Sequence, residues 1–190
     1  MRYTCPVTPS CSYGYLTGYS RGMGTRLVSA SYLRSFIFGV EDSLVSTVGL
    51  VSGIALAGVA GTQILLTGII LVFVEAFSMA AGEYLSERSS EEYMEQGVVS
   101  PWQSIVASVI MFFSYLLSGI IPIAPYAFLA PQAAFTVSVV GSLAALFLLG
   151  LLGARLTGTP LLSRATQMAV VGGMAIIIGI AVGQLTGLGV

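Results

Sequence analysis

The chain alternates between long apolar stretches and short polar or prolyl turns. Five apolar stretches run near residues 36–57, 63–85, 103–124, 132–153 and 167–187. Each is about 20 residues, the length that crosses a hydrocarbon core as a helix. The connections are short, at 58–62, 86–102, 123–131 and 154–166. Pro122, Pro125 and Pro131 mark the third turn, and Gly158-Thr159-Pro160 marks the fourth. The pattern predicts an all-α membrane protein with five transmembrane helices in a single domain, residues 34–190. Every span carries several Gly, Ala or Ser residues, which let helix backbones approach closely in lipid. Gly49 and Gly53 form a GxxxG pair on the first span. A contact inside one subunit explains that pair as well as a contact between two.

Composition narrows the class. The chain is 56% hydrophobic and 8% charged, where a soluble domain carries about 25% charged residues. Its mean hydropathy is +0.94. It has no Lys and seven thinly spread Arg, which excludes a nucleic-acid partner. It has no His, so imidazole metal sites and histidine proton relays are excluded too. No nucleophile motif or cofactor fingerprint occurs, and neither an enzyme nor a resident cofactor is expected. Residues 1–33 are rich in Tyr, Ser, Gly and Thr and lack the apolar core of a signal peptide. They are expected to form a disordered polar tail, with Met23 as an alternative start. Cys5 and Cys11 in that tail are six apart, a spacing that fits no metal signature.

The arginines orient the spans. Arg2, Arg21, Arg26 and Arg34 precede the first span, Arg88 lies between the second and third, and Arg155 and Arg164 lie between the fourth and fifth. All seven fall on one side of a five-span arrangement. The positive-inside rule makes that side cytoplasmic, with the N-terminus inside and the C-terminus outside.

The acids carry the candidate chemistry. All eight lie between Glu41 and Glu95, and residues 96–190 contain none. A carboxylate inside a membrane helix costs roughly 2.5–3.5 kcal/mol on insertion scales and usually marks an ion or proton path. In the orientation above, Asp42 lies about two turns in from the cytoplasmic end of the first span, and Met79 about two turns before the cytoplasmic end of the second. If those helices are neighbours, a carboxylate and a thioether meet at one level. Glu75, Met79 and Glu83 recur every four residues and stack on one helix face; Asp42 and Ser46 do the same. A thioether among oxygens favours later transition metals over Mg²⁺ or Ca²⁺. Asp42, Met79 and Glu83 are therefore candidate metal ligands, with Glu75 a candidate for metal or proton. Glu41, about 100° round the helix from Asp42, is a weaker candidate. Glu91 and Glu95, at i, i+4 in the acidic segment after the second span, could attract divalent cations or form a solvated helical extension.

These residues resemble a known family. Gly39-Val40-Glu41-Asp42-Ser43-Leu44-Val45 through Gly49-Leu50-Val51-Ser52-Gly53 is similar to the first-helix motif of the vacuolar iron transporter family. Ser78-Met79-Ala80-Ala81-Gly82-Glu83-Tyr84-Leu85-Ser86 resembles the end of that family's second helix. Pro101-Trp102 and Ser118-Gly119-Ile120-Ile121-Pro122-Ile123-Ala124-Pro125 resemble its third. The resemblance covers residues 34–187. It implies five helices per subunit, a homodimer, a path for Fe²⁺ between subunits with proton exchange, and metal-path roles for Asp42 and Met79. Three departures stand out. Ser43 replaces the usual Gly. The helix-two glutamate of plant members falls at Leu71 rather than Glu75. The family's long cytoplasmic metal-binding domain is reduced to Ser86–Trp102.

The resulting expectation is a short member of that family: a proton-coupled secondary transporter exporting Fe²⁺, or Mn²⁺, across the plasma membrane if the cell is prokaryotic. Its partners are divalent metal ions, membrane lipid and a second copy of itself. The alternatives are a small proton-coupled cation or drug exporter and a non-transporting membrane scaffold subunit.

Overall fold

The computed structural model describes residues 14–95 and 101–187, and they are almost entirely helical. The helices are α1 (Gly14–Leu56), α2 (Gly61–Glu95), α3 (Trp102–Ser118), the single turns α4 (Ile120–Ile123) and α5 (Pro125–Phe128), α6 (Pro131–Thr157) and α7 (Leu161–Gly187). Five segments are long and apolar enough to cross a membrane: Ser29–Leu56, Gly61–Ser90, Trp102–Ile123, Pro131–Thr157 and Leu161–Thr186. They coincide with the five apolar stretches of the sequence.

Two helices run further than their apolar patterns. α1 begins at Gly14 rather than near residue 34, so it takes in much of the segment expected to be a disordered tail. Once a helix is nucleated, each added residue gains a hydrogen bond, and a hydropathy pattern locates the span rather than the helix end. Residues 1–13, with Cys5 and Cys11, lie outside the described residues. α2 continues through the acidic segment to Glu95, where Arg88 pairs with Glu92 at i, i+4 and 2.8 Å. The acidic segment is thus a helical continuation of α2.

The breaks are local. Gly58 and Gly158 take φ of +82° and +70° at the α1–α2 and α6–α7 turns, conformations that cost little only for glycine. Pro122 has no N–H to offer the Ser118 carbonyl four residues before it, and α3 ends at Ser118, followed by short turns. The Pro122 carbonyl itself accepts a hydrogen bond from Ser138 Oγ on α6 at 2.7 Å.

Side-chain register gives the topology. Ser46 of α1 meets Glu75 of α2, and Ser35 meets Glu83, so α1 and α2 are antiparallel. Gly39 faces Met111 and Ser114, while Ser43 faces Gly119, so α1 and α3 are parallel. Gly49 packs on Ala175, and Gly53 on Gly179, so α1 and α7 are also parallel. Gly150 packs on Ala165 and Gly172 on Leu146, which makes α6 and α7 antiparallel. The spans therefore alternate in direction, which puts Arg34, Arg88, Arg155 and Arg164 at one end of the bundle.

α1 is the hub and touches α2, α3, α6 and α7. Its glycines explain the closest contact. A Cβ on Gly179 would stand 2.0 Å from the Gly49 carbonyl oxygen, and one on Gly183 would stand 2.1 Å from that of Gly53. The GxxxG pair of the first span thus meets a second such pair, Gly179 and Gly183, within the same subunit. Large apolar side chains such as Phe73, Phe77, Ile177 and Ile178 stay exposed on the bundle's outside, as a surface facing lipid tails requires.

Candidate functional site

Polar groups from α1, α2 and α3 meet at the seam between α1 and α2. Ser46 Oγ donates to Glu75 Oε2 at 3.0 Å. Tyr115, fully buried on α3, donates its hydroxyl to the same oxygen. The Ser46 and Tyr115 hydroxyls are themselves 2.7 Å apart. A carboxylate at this depth is costly unless partners meet it, and here two hydroxyls from two other helices do so.

Asp42 and Met79 flank this group. Each lies four residues, one helical turn or about 6 Å, toward the arginine-bearing end from the Ser46–Glu75 bond. Both are half-buried. The faces agree as well: Glu75 and Glu83, four residues to either side of Met79, both bond α1 side chains. The Asp42 carboxylate lies within Coulombic reach of Glu75. Two carboxylates, a thioether and a hydroxyl thus share about one turn of an antiparallel helix pair.

The remaining candidates lie elsewhere. Glu83 is buried two turns from Glu75, and an ion pair already holds it. Arg34 reaches Glu83 Oε1 at 3.1 Å and Glu87 Oε2 at 3.2 Å. Ser35 donates to Glu83 at 2.5 Å, and Ser31 donates to Glu87 at 2.5 Å. Glu41 is half-buried and within Coulombic reach of Arg164 at the start of α7, on a different side of α1 from the seam. The side chains of Glu91 and Glu95 lie outside the described residues. Among the described residues, no three of the chain's Cys, Asp and Glu side chains group closely enough to hold a metal ion.

A groove of about 700 Å³ opens sideways beside the seam. Ser46 and Glu75 line its inner end, and Gly53, Ala57, Gly183 and Thr186 carry it toward the end opposite the arginines. Its walls are otherwise apolar. Leu71, the position where plant members of the resembled family carry a glutamate, lines the groove one turn beyond Glu75.

Tyr115, Arg34 and Ser35 were absent from the candidates that the sequence suggests. For Tyr115 a signal existed, since a phenol in the middle of an apolar span needs a hydrogen-bond partner when buried. For Arg34 and Ser35 none did, because their partner Glu83 is some fifty residues away.

Known proteins share this arrangement of sequence. The VIT family matches the chain over residues 33–100 and 94–184. Vacuolar iron transporter homolog 4 of Arabidopsis thaliana is 30% identical over 172 residues, covering 83% of this chain and 85% of the relative. Vacuolar iron transporter homolog 2 of the same plant is 28% identical, covering 84% and 86%. The vacuolar iron transporter of Toxoplasma gondii is 30% identical over 83 residues, covering 44% of this chain and 27% of the relative. Five apolar spans and relatives of nearly full length make this an integral, multi-pass membrane protein. With the family match running from the first span through the last, the chain belongs to the VIT family.

Proposed function

We propose that this protein is a secondary transporter that moves a divalent transition metal, Fe²⁺ or Mn²⁺, out of the cytoplasm in exchange for protons. The iron named for its relatives supports metal transport. The observation that carries the reading in this chain is the α1–α2 seam: Ser46 bonds Glu75 at the inner end of a groove leading away from the arginines, and Asp42 and Met79 each lie one turn along their helices from that bond. The metal is cargo, bound by Asp42 and Met79 and passed to Glu75, which carries the metal or the returning proton. The thioether biases the site toward later transition metals. The positive-inside rule sets the arginine-bearing end in the cytoplasm, where Glu83 and Glu87 form the mouth. In a prokaryotic cell the membrane is the plasma membrane.

The working unit is a homodimer. A divalent transition ion generally takes four to six donors, and within one subunit no three Cys, Asp or Glu side chains among the described residues group closely enough to hold one. Glu75 also lines a groove that opens laterally, where lipid tails would otherwise meet a carboxyl group. A two-fold axis beside α1 and α2 would double the donors and cover the groove.

The deciding experiment is metal uptake into proteoliposomes under an imposed pH gradient. The expected result is Fe²⁺ movement that follows the proton gradient and is lost in Asp42→Asn. Metal-independent behaviour of the reconstituted protein would overturn the reading.

A further inference from the structure

α1 meets Tyr115 at both ends, directly at the backbone and, since both hydroxyl protons go to Glu75, through that carboxylate at the tip. The tyrosine's backbone carbonyl accepts a hydrogen bond from Ser43 Oγ at 2.7 Å, and its hydroxyl meets Ser46 Oγ at 2.7 Å. Ser43 and Ser46 lie three residues apart and so share one face of the helix. A tyrosine has only two side-chain torsions, so fixing its backbone and its tip leaves the ring little freedom. The fixed hydroxyl donates to Glu75 Oε2, the oxygen that Ser46 also meets. No donor among the described residues meets Glu75 Oε1.

Glu75 and Ser46 both line the groove, while Tyr115 is fully buried and forms no part of its wall. Gly119 permits the arrangement, since a Cβ there would stand 2.9 Å from Ser43 Oγ.

We infer that Tyr115 is a positioning residue that clamps Glu75 by one oxygen against Ser46 and so presents the other oxygen to a cation at the inner end of the groove. The inference rests on the transport reading of Glu75, and it adds α3 to a site otherwise built from α1 and α2. It also gives Ser43 a role: its hydroxyl fixes the backbone from which the Tyr115 ring extends.

Tyr115→Phe removes the hydroxyl and keeps the ring. The test reads the infrared carboxyl-stretching band that disappears in Glu75→Gln, recorded on metal-free protein, together with Fe²⁺ flux in proteoliposomes and melting temperature in detergent. In Tyr115→Phe the band is expected to shift. Flux per folded protein should fall roughly tenfold, about what one charge-assisted hydrogen bond is worth, with the melting temperature near the parent's. An unshifted band would overturn the clamp. Parent-like flux per folded protein would overturn its role in transport. If Tyr115→Phe does not insert, Ser43→Gly removes the backbone grip and is read by the same band, which must again shift for the clamp to stand. A parent protein that moves no metal would overturn the transport reading alone, because the band still decides whether Tyr115 holds Glu75.

Discussion

Ser46 on α1 is hydrogen-bonded to Glu75 on α2 at 3.0 Å, and that bond sets which residues of the two helices share a level. One turn along, it brings Asp42 and Met79 to the same depth, although 36 intervening residues separate them in the chain.

Asp42→Asn keeps size and hydrogen bonding and removes the charge. It is expected to abolish metal-dependent flux at near-normal expression, because a neutral amide inserts no less easily than a carboxylate. Met79→Leu removes the sulfur at a packing cost under about 1.5 kcal/mol. If Met79 is a ligand, Fe²⁺ flux falls and the Mn²⁺ to Fe²⁺ flux ratio rises. Parent-like selectivity in competition uptake would return Met79 to the role of packing residue.

Arg34 is the cation that faces the buried Glu83 carboxylate. Arg34→Gln is expected to destabilise the protein by about 1–2 kcal/mol. That lies between the figures for exposed and buried pairs, since Arg34 itself is largely exposed. Adding Glu83→Gln should recover most of the loss, because the uncompensated charge is then gone. Melting in detergent measures both variants, and a double variant no better than Arg34→Gln would refute the pairing.

Gly179 has no room for a methyl group, since its Cβ would fall on the Gly49 backbone. Gly179→Ala is expected to push α1 and α7 apart at a cost of about 1–3 kcal/mol. Gly173→Ala, on the same helix with open space around it, should be neutral or slightly stabilising. Equal melting temperatures for the two variants would contradict the tight α1–α7 contact.

The proposed orientation, with the arginine-bearing end in the cytoplasm, puts the N-terminus inside and the C-terminus outside. A C-terminal reporter that works only in the cytoplasm should therefore be silent. Activity there would reverse the direction assigned to the path.

For the dimer, Cys5 and Cys11 are first replaced by Ser. Single cysteines on the outer half of α1, at lining positions such as Leu50, are then expected to crosslink between subunits in native membranes. No crosslink from any of these α1 positions would move the two-fold axis away from the groove.

The spans were legible in the sequence because hydropathy is a local property. The depth match of Asp42 and Met79 was legible because arginine placement orients both helices. Three features were not, and each depends on contacts distant in sequence or on structure that hydropathy does not mark. The partner of Gly49 and Gly53 is another glycine pair more than a hundred residues away. Glu83 belongs to a ladder with Glu75 and Met79 when read along α2, yet in the fold Arg34 and Ser35 engage it. The extent of α1 exceeds its apolar pattern because a helix can continue where that patterning stops. Tyr115 was available to sequence reasoning, since its depth alone demanded a partner, but only the fold shows that the partner is Glu75.

The glycine contact between α1 and α7 also bears on how the protein is made. The most extensive helix packing in the bundle joins its first span to its last. A ribosome delivers α1 well before α7, so α1 must wait in the bilayer with its Gly49–Gly53 face uncovered until α7 arrives. A chain that stops before residue 161 keeps four spans and every acid of the α1–α2 seam, yet lacks the helix that closes the other side of the hub. Loss of the C-terminal span should therefore be read out at the far side of the molecule, as loosening of α1 against α2.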